Sequence, residues 1–283
     1  MYSRHITRRE KGAVVFLIDQ SGSMAEEINF QGESTSKARA LASIANSLIE
    51  EFICRSQRER GVGDYFDIAV IGYGGEKATS LLGSGWRRIV DIDTMYVPST
   101  TTRISRHLPD GQTYNYFVER REWITPTAKG RTPMGSALSM AKRLVNNWCK
   151  KHPKSFPPIV INITDGEATD SSPEELLRLA LKLRDVATED GNTLLFNIHI
   201  ASPNECGAQP VQYPCENDPL PVHRFSQLLF EMSSPLPDIY TSAIREFKGT
   251  NSTSPARAMC FNTSCDELVG LMNIGTISVE RML

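Results

Sequence analysis

An α/β fold, its mostly parallel sheet covered by helices on both faces, is predicted by three observations. Ala13-Val14-Val15-Phe16-Leu17-Ile18 is an uninterrupted β-branched and aromatic run, the pattern of a strand buried on both sides. Ile159-Val160-Ile161-Asn162-Ile163 repeats that pattern. Both runs stop at an aspartate, Asp19 or Thr164-Asp165, and both lead on to a segment with helical spacing of apolar residues. The loop that leaves such a strand lies at the carboxyl edge of the sheet, where open α/β sheets bind ligands.

The first edge loop, Asp19-Gln20-Ser21-Gly22-Ser23-Met24, offers a carboxylate and two hydroxyls. All are oxygen donors, and the alternate spacing turns them the same way in an extended loop. That suits a hard cation such as Mg²⁺. A polar stretch, 25–35, then leads to a helix over about 36–55, with Leu41, Ile44, Leu48, Phe52 and Ile53 on one face. Gly61 and Gly63 break the pattern, and 65–73 reads as a second strand of the sheet, either parallel to the first through a βαβ unit or antiparallel to it.

Residues 74–131 are expected to hold a surface excursion with short strand-like pieces at 86–92 and 114–124, arranged as a hairpin or an edge strand. Their aromatic residues, Trp86, Tyr96, Tyr114, Tyr116, Phe117 and Trp123, read more simply as packing than as a stacking platform for nucleic acid. Arg120-Arg121 beside Glu119 and Glu122 reads as a solvated mixed-charge patch. Gly130-Arg131-Thr132-Pro133-Met134-Gly135 then enters a helix with Leu138, Ala141, Val145 and Trp148 on one face. Pro133 suits the first turn, where its missing N–H costs nothing. Thr132 just before it is a helix cap or a ligand.

After the strand at 159–163, Ser172-Pro173-Glu174-Glu175 is a capping-box start for a helix with Leu176, Leu179, Ala180, Leu183 and Ala187 inward, ended by Gly191. A strand at 193–200 comes next. A proline-rich loop at 202–221 should rim the same edge as Asp19 and Asp165. Short helices at 224–232 and 239–247, a strand at 256–261 and a last helix capped by Ser264 complete the order.

Composition limits the function classes. The chain has 283 residues and 40% hydrophobic content, enough for one elaborated domain spanning 1–283 with a core of about 12–275. Thirty-one basic against 33 acidic residues leave a net charge of −2, so nucleic acid is not the expected partner. The basic start, Met1 to Arg9, is followed by an apolar run too short for a signal peptide, and no run has membrane-spanning length. A cytoplasmic protein with no membrane partner is expected. Cys54 and Cys149 fall within helical patterns as buried small hydrophobes. Cys206 and Cys215 are free thiols, a disulfide, or a metal clip with His199 or His223; free thiols are the simplest reading. The five histidines are scattered, as structural or solvent-exposed residues would be.

Three segments in fixed order, Asp19-x-Ser21-x-Ser23, Thr132-Pro133-Met134-Gly135 and Thr164-Asp165-Gly166, resemble the metal-ion-dependent adhesion site of a von Willebrand factor A domain. The resemblance covers residues 14 to about 183 directly. It implies a Rossmann-like doubly wound sheet with one antiparallel edge strand, with 74–131 and 202–221 as insertions. It also implies that Ser21 and Ser23 ligate Mg²⁺ directly, with Mn²⁺ or Ca²⁺ as alternatives, and that Thr132 does so directly or through water. Asp19 and Asp165 would act mainly through water and through hydrogen bonds to the hydroxyl ligands. Neutral hydroxyls leave the ion electron-poor, so it favours an anionic oxygen from outside, an Asp or Glu of a protein partner. Intracellular members of the family suggest an adaptor for an AAA+ ATPase, or for a kinase, phosphatase or stress- and conflict-response system.

That reading is of a binding module, not an enzyme. The alternative is a divalent-metal-dependent phosphoester hydrolase, since haloacid-dehalogenase-type phosphotransferases also start from an apolar strand ending in Asp. Those enzymes need a second Asp two residues on, where this chain has Ser21. No GxxxxGK[ST] loop, GxSxG elbow or HExxH pair occurs in the sequence.

Overall fold

Strand β1, Gly12–Asp19, is buried along its whole length and forms the middle of the sheet. The computed structural model describes residues 2–30, 33–107, 113–166, 168–200, 210–221, 225–240, 244–245 and 255–261. Alternate β1 side chains serve two cores: Val14, Phe16 and Ile18 pack on one face, and Ala13, Val15 and Leu17 on the other. A strand flanked in this way has no polar face, which explains its unbroken apolar sequence.

The polar stretch after the first loop is a hairpin, β2 (Glu27–Phe30) against β3 (Glu33–Ser36). It leads straight into α1, Lys37–Ser56, whose first turn is capped by Ser36 Oγ accepting from Arg39 N at 3.3 Å. α1 lies on one side of the sheet and carries the chain to β4, Phe66–Gly74, which runs parallel to β1. The βαβ arrangement is therefore the one adopted. β5, Lys77–Ser80, turns back antiparallel along β4.

The piece read as strand-like at 86–92 is mostly a short helix, α2 (Ile89–Asp93), preceded by a two-residue bridge of Arg87–Arg88 to β4. Ile89 and Ile92 are buried three residues apart, a helical repeat in too short a run to read from sequence. β6 (Ser99–His107) and β7 (Thr113–Arg121) form a separate antiparallel hairpin. Its base is fastened to α1 by Asn46, whose amide binds both the N–H and the C=O of Ile124. Arg121 reaches Glu50 at 3.0 Å and Asp93 at 3.1 Å and stacks over Trp123, so it is a tethered cation and not a solvated patch. Trp123 is buried, whereas Tyr96 and Phe117 are exposed.

Helix α3, Met134–Lys151, packs on the opposite sheet face to α1, followed by β8, Ile159–Thr164, parallel to β1 on its other side. α4, Pro173–Arg184, begins at the Ser172 cap as expected but ends earlier than Gly191. A tight antiparallel pair, Ala187–Thr188 with Gly191–Asn192, takes up the remainder. β9 (Leu194–His199), β10 (Val211–Gln212), α5 (Ser226–Met232) and β11 (Met259–Phe261) complete the labelled elements. The sheet order is β10-β11-β9-β8-β1-β4-β5, parallel from β11 to β4 and antiparallel at both edges. The strand at the β10 edge adds a second antiparallel border to the one expected. Cys54 is exposed on α1, contrary to the buried reading, and Cys149 is buried, its thiol pushed up to about 11 by that burial. Glu167, residues 202–209 with Cys206, His223, Arg224, part of 239–247 and the helix after Ser264 lie outside the described residues.

Chain order reverses at β1. From β1 the chain goes to β4 on one side, then crosses to β8 on the other. Crevices form at the carboxyl ends of strands flanking such a reversal. Here those ends carry Asp19 and Thr164-Asp165.

Candidate functional site

Strand register explains which side chains meet. Ile18 pairs with Ile163 and Thr164 with His199, so Asp19, Thr164 and His199 form a row across three adjacent strands. All three are buried. Asp19 is 1% exposed, and its carboxylate is held by the chain itself: Oδ1 accepts from Ser21 N at 2.9 Å, and Oδ2 from Thr164 Oγ1 at 2.8 Å. Thr164 Oγ1 in turn accepts from Gly166 N at 2.9 Å, which ties the second edge loop to the first. Gly166 has φ +113, and a Cβ there would stand 2.6 Å from Phe225, so glycine is required. Burial, then the nearby Asp165 charge, pushes the Asp19 carboxyl up to about 6.

The two loop hydroxyls bracket the surface. Ser21 is buried and Ser23 exposed, with their Oγ atoms 3.0 Å apart. Neighbouring vertices of an octahedron with metal–oxygen bonds of about 2.1 Å are about 3.0 Å apart. At that separation the two hydroxyls share a hydrogen bond, and two oxygen ligands of a small hard cation could take the same spacing. Among the described residues no three His, Cys, Asp or Glu side chains converge as a metal cage; the donors here are hydroxyls supported by two carboxylates.

Thr132 is brought to these loops by backbone bonds. Gly22 N donates to Gly130 O at 2.9 Å, and Lys129 N to Gln20 O at 2.7 Å. Gly130 has φ +69, and a Cβ there would approach Gly75 Cα to 2.7 Å, so this crossing also needs glycine. On its other side Thr132 clasps Thr169: Thr132 N donates to Thr169 Oγ1 and Thr169 N to Thr132 O, both at 3.0 Å. Thr132 does not cap α3. Pro133 holds the cap position, so the helix begins one residue later than expected, and it gives no side-chain cap. The helix N-terminus is satisfied instead by Asp170, whose oxygens accept from Gly135 N and Ser136 N at 3.0 and 2.9 Å.

The fifth residue, Asp165, has a side chain 6% exposed, and its Oδ2 stands 3.4 Å from Lys37 Nζ. Lys37 Nζ also meets Glu26 Oε2 at 2.8 Å. The backbone of Asp165 is fixed from below, where His199 Nε2 lies 2.9 Å from its carbonyl oxygen while the imidazole stacks on Phe261. Beneath the site Tyr73 OH donates to Asn162, Asn162 to Asn197 and Asn197 to Ser233 in a buried chain across the sheet. The five predicted site residues thus occupy three loops joined by hydrogen bonds. Sequence pattern does not single out Lys37 or Asp170, and it raises His199 only as a partner for Cys206 and Cys215, not as a support for Asp165. The signals were a lysine at a helix start, an aspartate two residues before a capping serine, and a histidine closing an apolar strand.

No protein-family model matches the chain, and no curated protein matches it. Among solved structures it is similar to a von Willebrand factor type A protein from Catenulispora acidiphila, at 17% identity and TM-score 0.39, covering 68% of this chain and 34% of that one. It is similar also to the vWF domain of the type V pili tip protein Mfa5 from Porphyromonas gingivalis, at 17% identity and TM-score 0.31, covering 56% and 39%. An uncharacterized membrane spanning protein from Vibrio fischeri has 16% identity and TM-score 0.27, covering 67% and 71%. The chain spans less than two-fifths of the length of the first two. Among the described residues no helix is long and apolar enough to cross a membrane.

Proposed function

We propose that the chain is a protein-interaction module of the von Willebrand factor A type, binding a partner's Asp or Glu through a divalent ion, Mg²⁺ or Mn²⁺, at Asp19, Ser21, Ser23, Thr132 and Asp165. The observation that carries the reading is the division of labour at the first loop. The carboxylate of Asp19 is buried with each oxygen engaged by a donor of the chain itself, while two hydroxyl oxygens, Ser21 buried and Ser23 exposed, lie 3.0 Å apart, a spacing that adjacent ligands can take. Ser21 and Ser23 would hold the ion, Thr132 would complete the arc, and Asp19 and Asp165 would orient water and hydroxyls around it. A bound ion supplies an electrophilic point for an anionic oxygen. The protein's part is to keep its carboxylates back from the ion, so that the outer position favours an acid from elsewhere.

The same observation weakens the hydrolase alternative. A nucleophilic Asp must present an oxygen to the substrate, and both oxygens of Asp19 are engaged at 1% exposure. The family resemblance suggests a cytoplasmic adaptor role, with an AAA+ ATPase or a kinase or phosphatase system as partner. Affinity capture with the native chain tests this reading: proteins retained in Mg²⁺ should elute with EDTA and fail to bind Ser21→Ala. Retention that ignores both changes would reject it.

A further inference from the structure

Lys37 is the first residue of α1, where the helix dipole disfavours a cation, and no acidic residue in that turn offsets it. It is also 2% exposed, and burying an ammonium is costly unless it is paired. Two carboxylates from different loops supply the pairing, Asp165 at 3.4 Å and Glu26 at 2.8 Å. The β2–β3 hairpin fixes this placement: Glu27 pairs with Ser36, and at the hairpin base Lys37 N donates to Glu26 O at 2.9 Å. The hairpin between the first site loop and α1 therefore places the positive charge of Lys37 at the candidate metal site.

We propose that Lys37 is the specificity-determining charge of this site: by neutralising Asp165 it leaves the ion-loaded site net positive and so selective for an anionic oxygen. The inference rests on the metal-binding reading above. Without Lys37, the charges of Asp19 and Asp165 cancel those of a divalent ion, and a carboxylate gains little by displacing water. With Lys37 the same set carries an excess of one positive charge. Glu26 opposes that excess, but its side chain is 44% exposed and solvent screens it, whereas Lys37 and Asp165 are shielded from water. The arrangement trades affinity for the ion against affinity for the ligand on it.

Calorimetric titration of the intact chain with MgCl₂ tests this, comparing wild type with Lys37→Met, Lys37→Gln and Lys37→Arg. Removal of a unit cation beside a divalent ion should tighten Mg²⁺ binding by about tenfold or more. The glutamine variant, which keeps a donor for Asp165 without the charge, should tighten it as the methionine variant does, and arginine should restore wild-type affinity. Sodium acetate at constant ionic strength should tighten Mg²⁺ binding by the wild type and not by Lys37→Met. A lysine that merely stapled two loops would lower the unfolding temperature of the variants without strengthening ion binding. Unchanged or weaker Mg²⁺ binding in both uncharged variants, or an acetate effect equal in wild type and variant, overturns the proposal. Failure of every variant and the wild type to take up ion overturns the metal-binding reading itself.

Discussion

Replacing Asp19 by Asn should stabilise the metal-free chain near neutral pH while abolishing ion binding. The substitution is nearly isosteric: the amide oxygen can still accept from Ser21 N, and the amide nitrogen can donate to Thr164 Oγ1. The change removes a carboxylate whose burial and whose neighbour Asp165 push it up to about 6. An unfolded Asp titrates near 3.9, so the unfolded chain ionises first and stability falls as pH rises from about 4 to about 6. Above that window the burial of this charge costs about 3 kcal/mol, and below it the cost fades to under about 1 kcal/mol. Urea unfolding in EDTA at pH 7.5 should therefore place Asp19→Asn about 1 M above wild type, for a slope of about 3 kcal/mol/M, with most of the gap gone by pH 4. Saturating Mg²⁺ should reverse the order, because only the wild type binds it. A variant less stable than wild type at pH 7.5, or a gap that does not change with pH, would refute the reasoning.

Thr164→Val removes the donor to Asp19 and the acceptor for Gly166 N at once. It should cost about 2–3 kcal/mol in chemical unfolding, with weaker ion binding in calorimetry. Gly130→Ala meets both a positive φ and the Gly75 backbone; it should destabilise the chain by about 2 kcal/mol or more and weaken ion binding, because the crossing that leads to Thr132 must shift. Asp170→Ala uncaps α3 and should cost about 1 kcal/mol, read as a lower thermal midpoint.

The sheet was legible because β1 and β8 are buried on both faces and so could not hide their apolar runs. The carboxyl-edge position of Asp19, Ser21, Ser23 and Asp165 followed from where those runs stop. The excursion over 74–131 was less legible. α2 is a single turn and a half with two inward residues, too short for periodicity to separate from a strand. The hairpin at 27–36 read only as polar because Ile28 is its one buried residue among the described ones. Lys37 escaped for the same reason: a lysine at a helix start looks solvated until the hairpin base folds Glu26 beside it. Asp170 acts across space on a helix 35 residues earlier in sequence, and no local pattern announces such a cap.

Titration of the metal-free chain with MgCl₂ or MnCl₂ tests the central claim most directly. Wild type should take up a single divalent ion, and Ser21→Ala, which removes one of the two oxygens 3.0 Å apart, should take up none while unfolding at an unchanged temperature in EDTA. Absence of uptake by the wild type at millimolar ion, or equal uptake by the folded Ser21→Ala chain, would contradict the account.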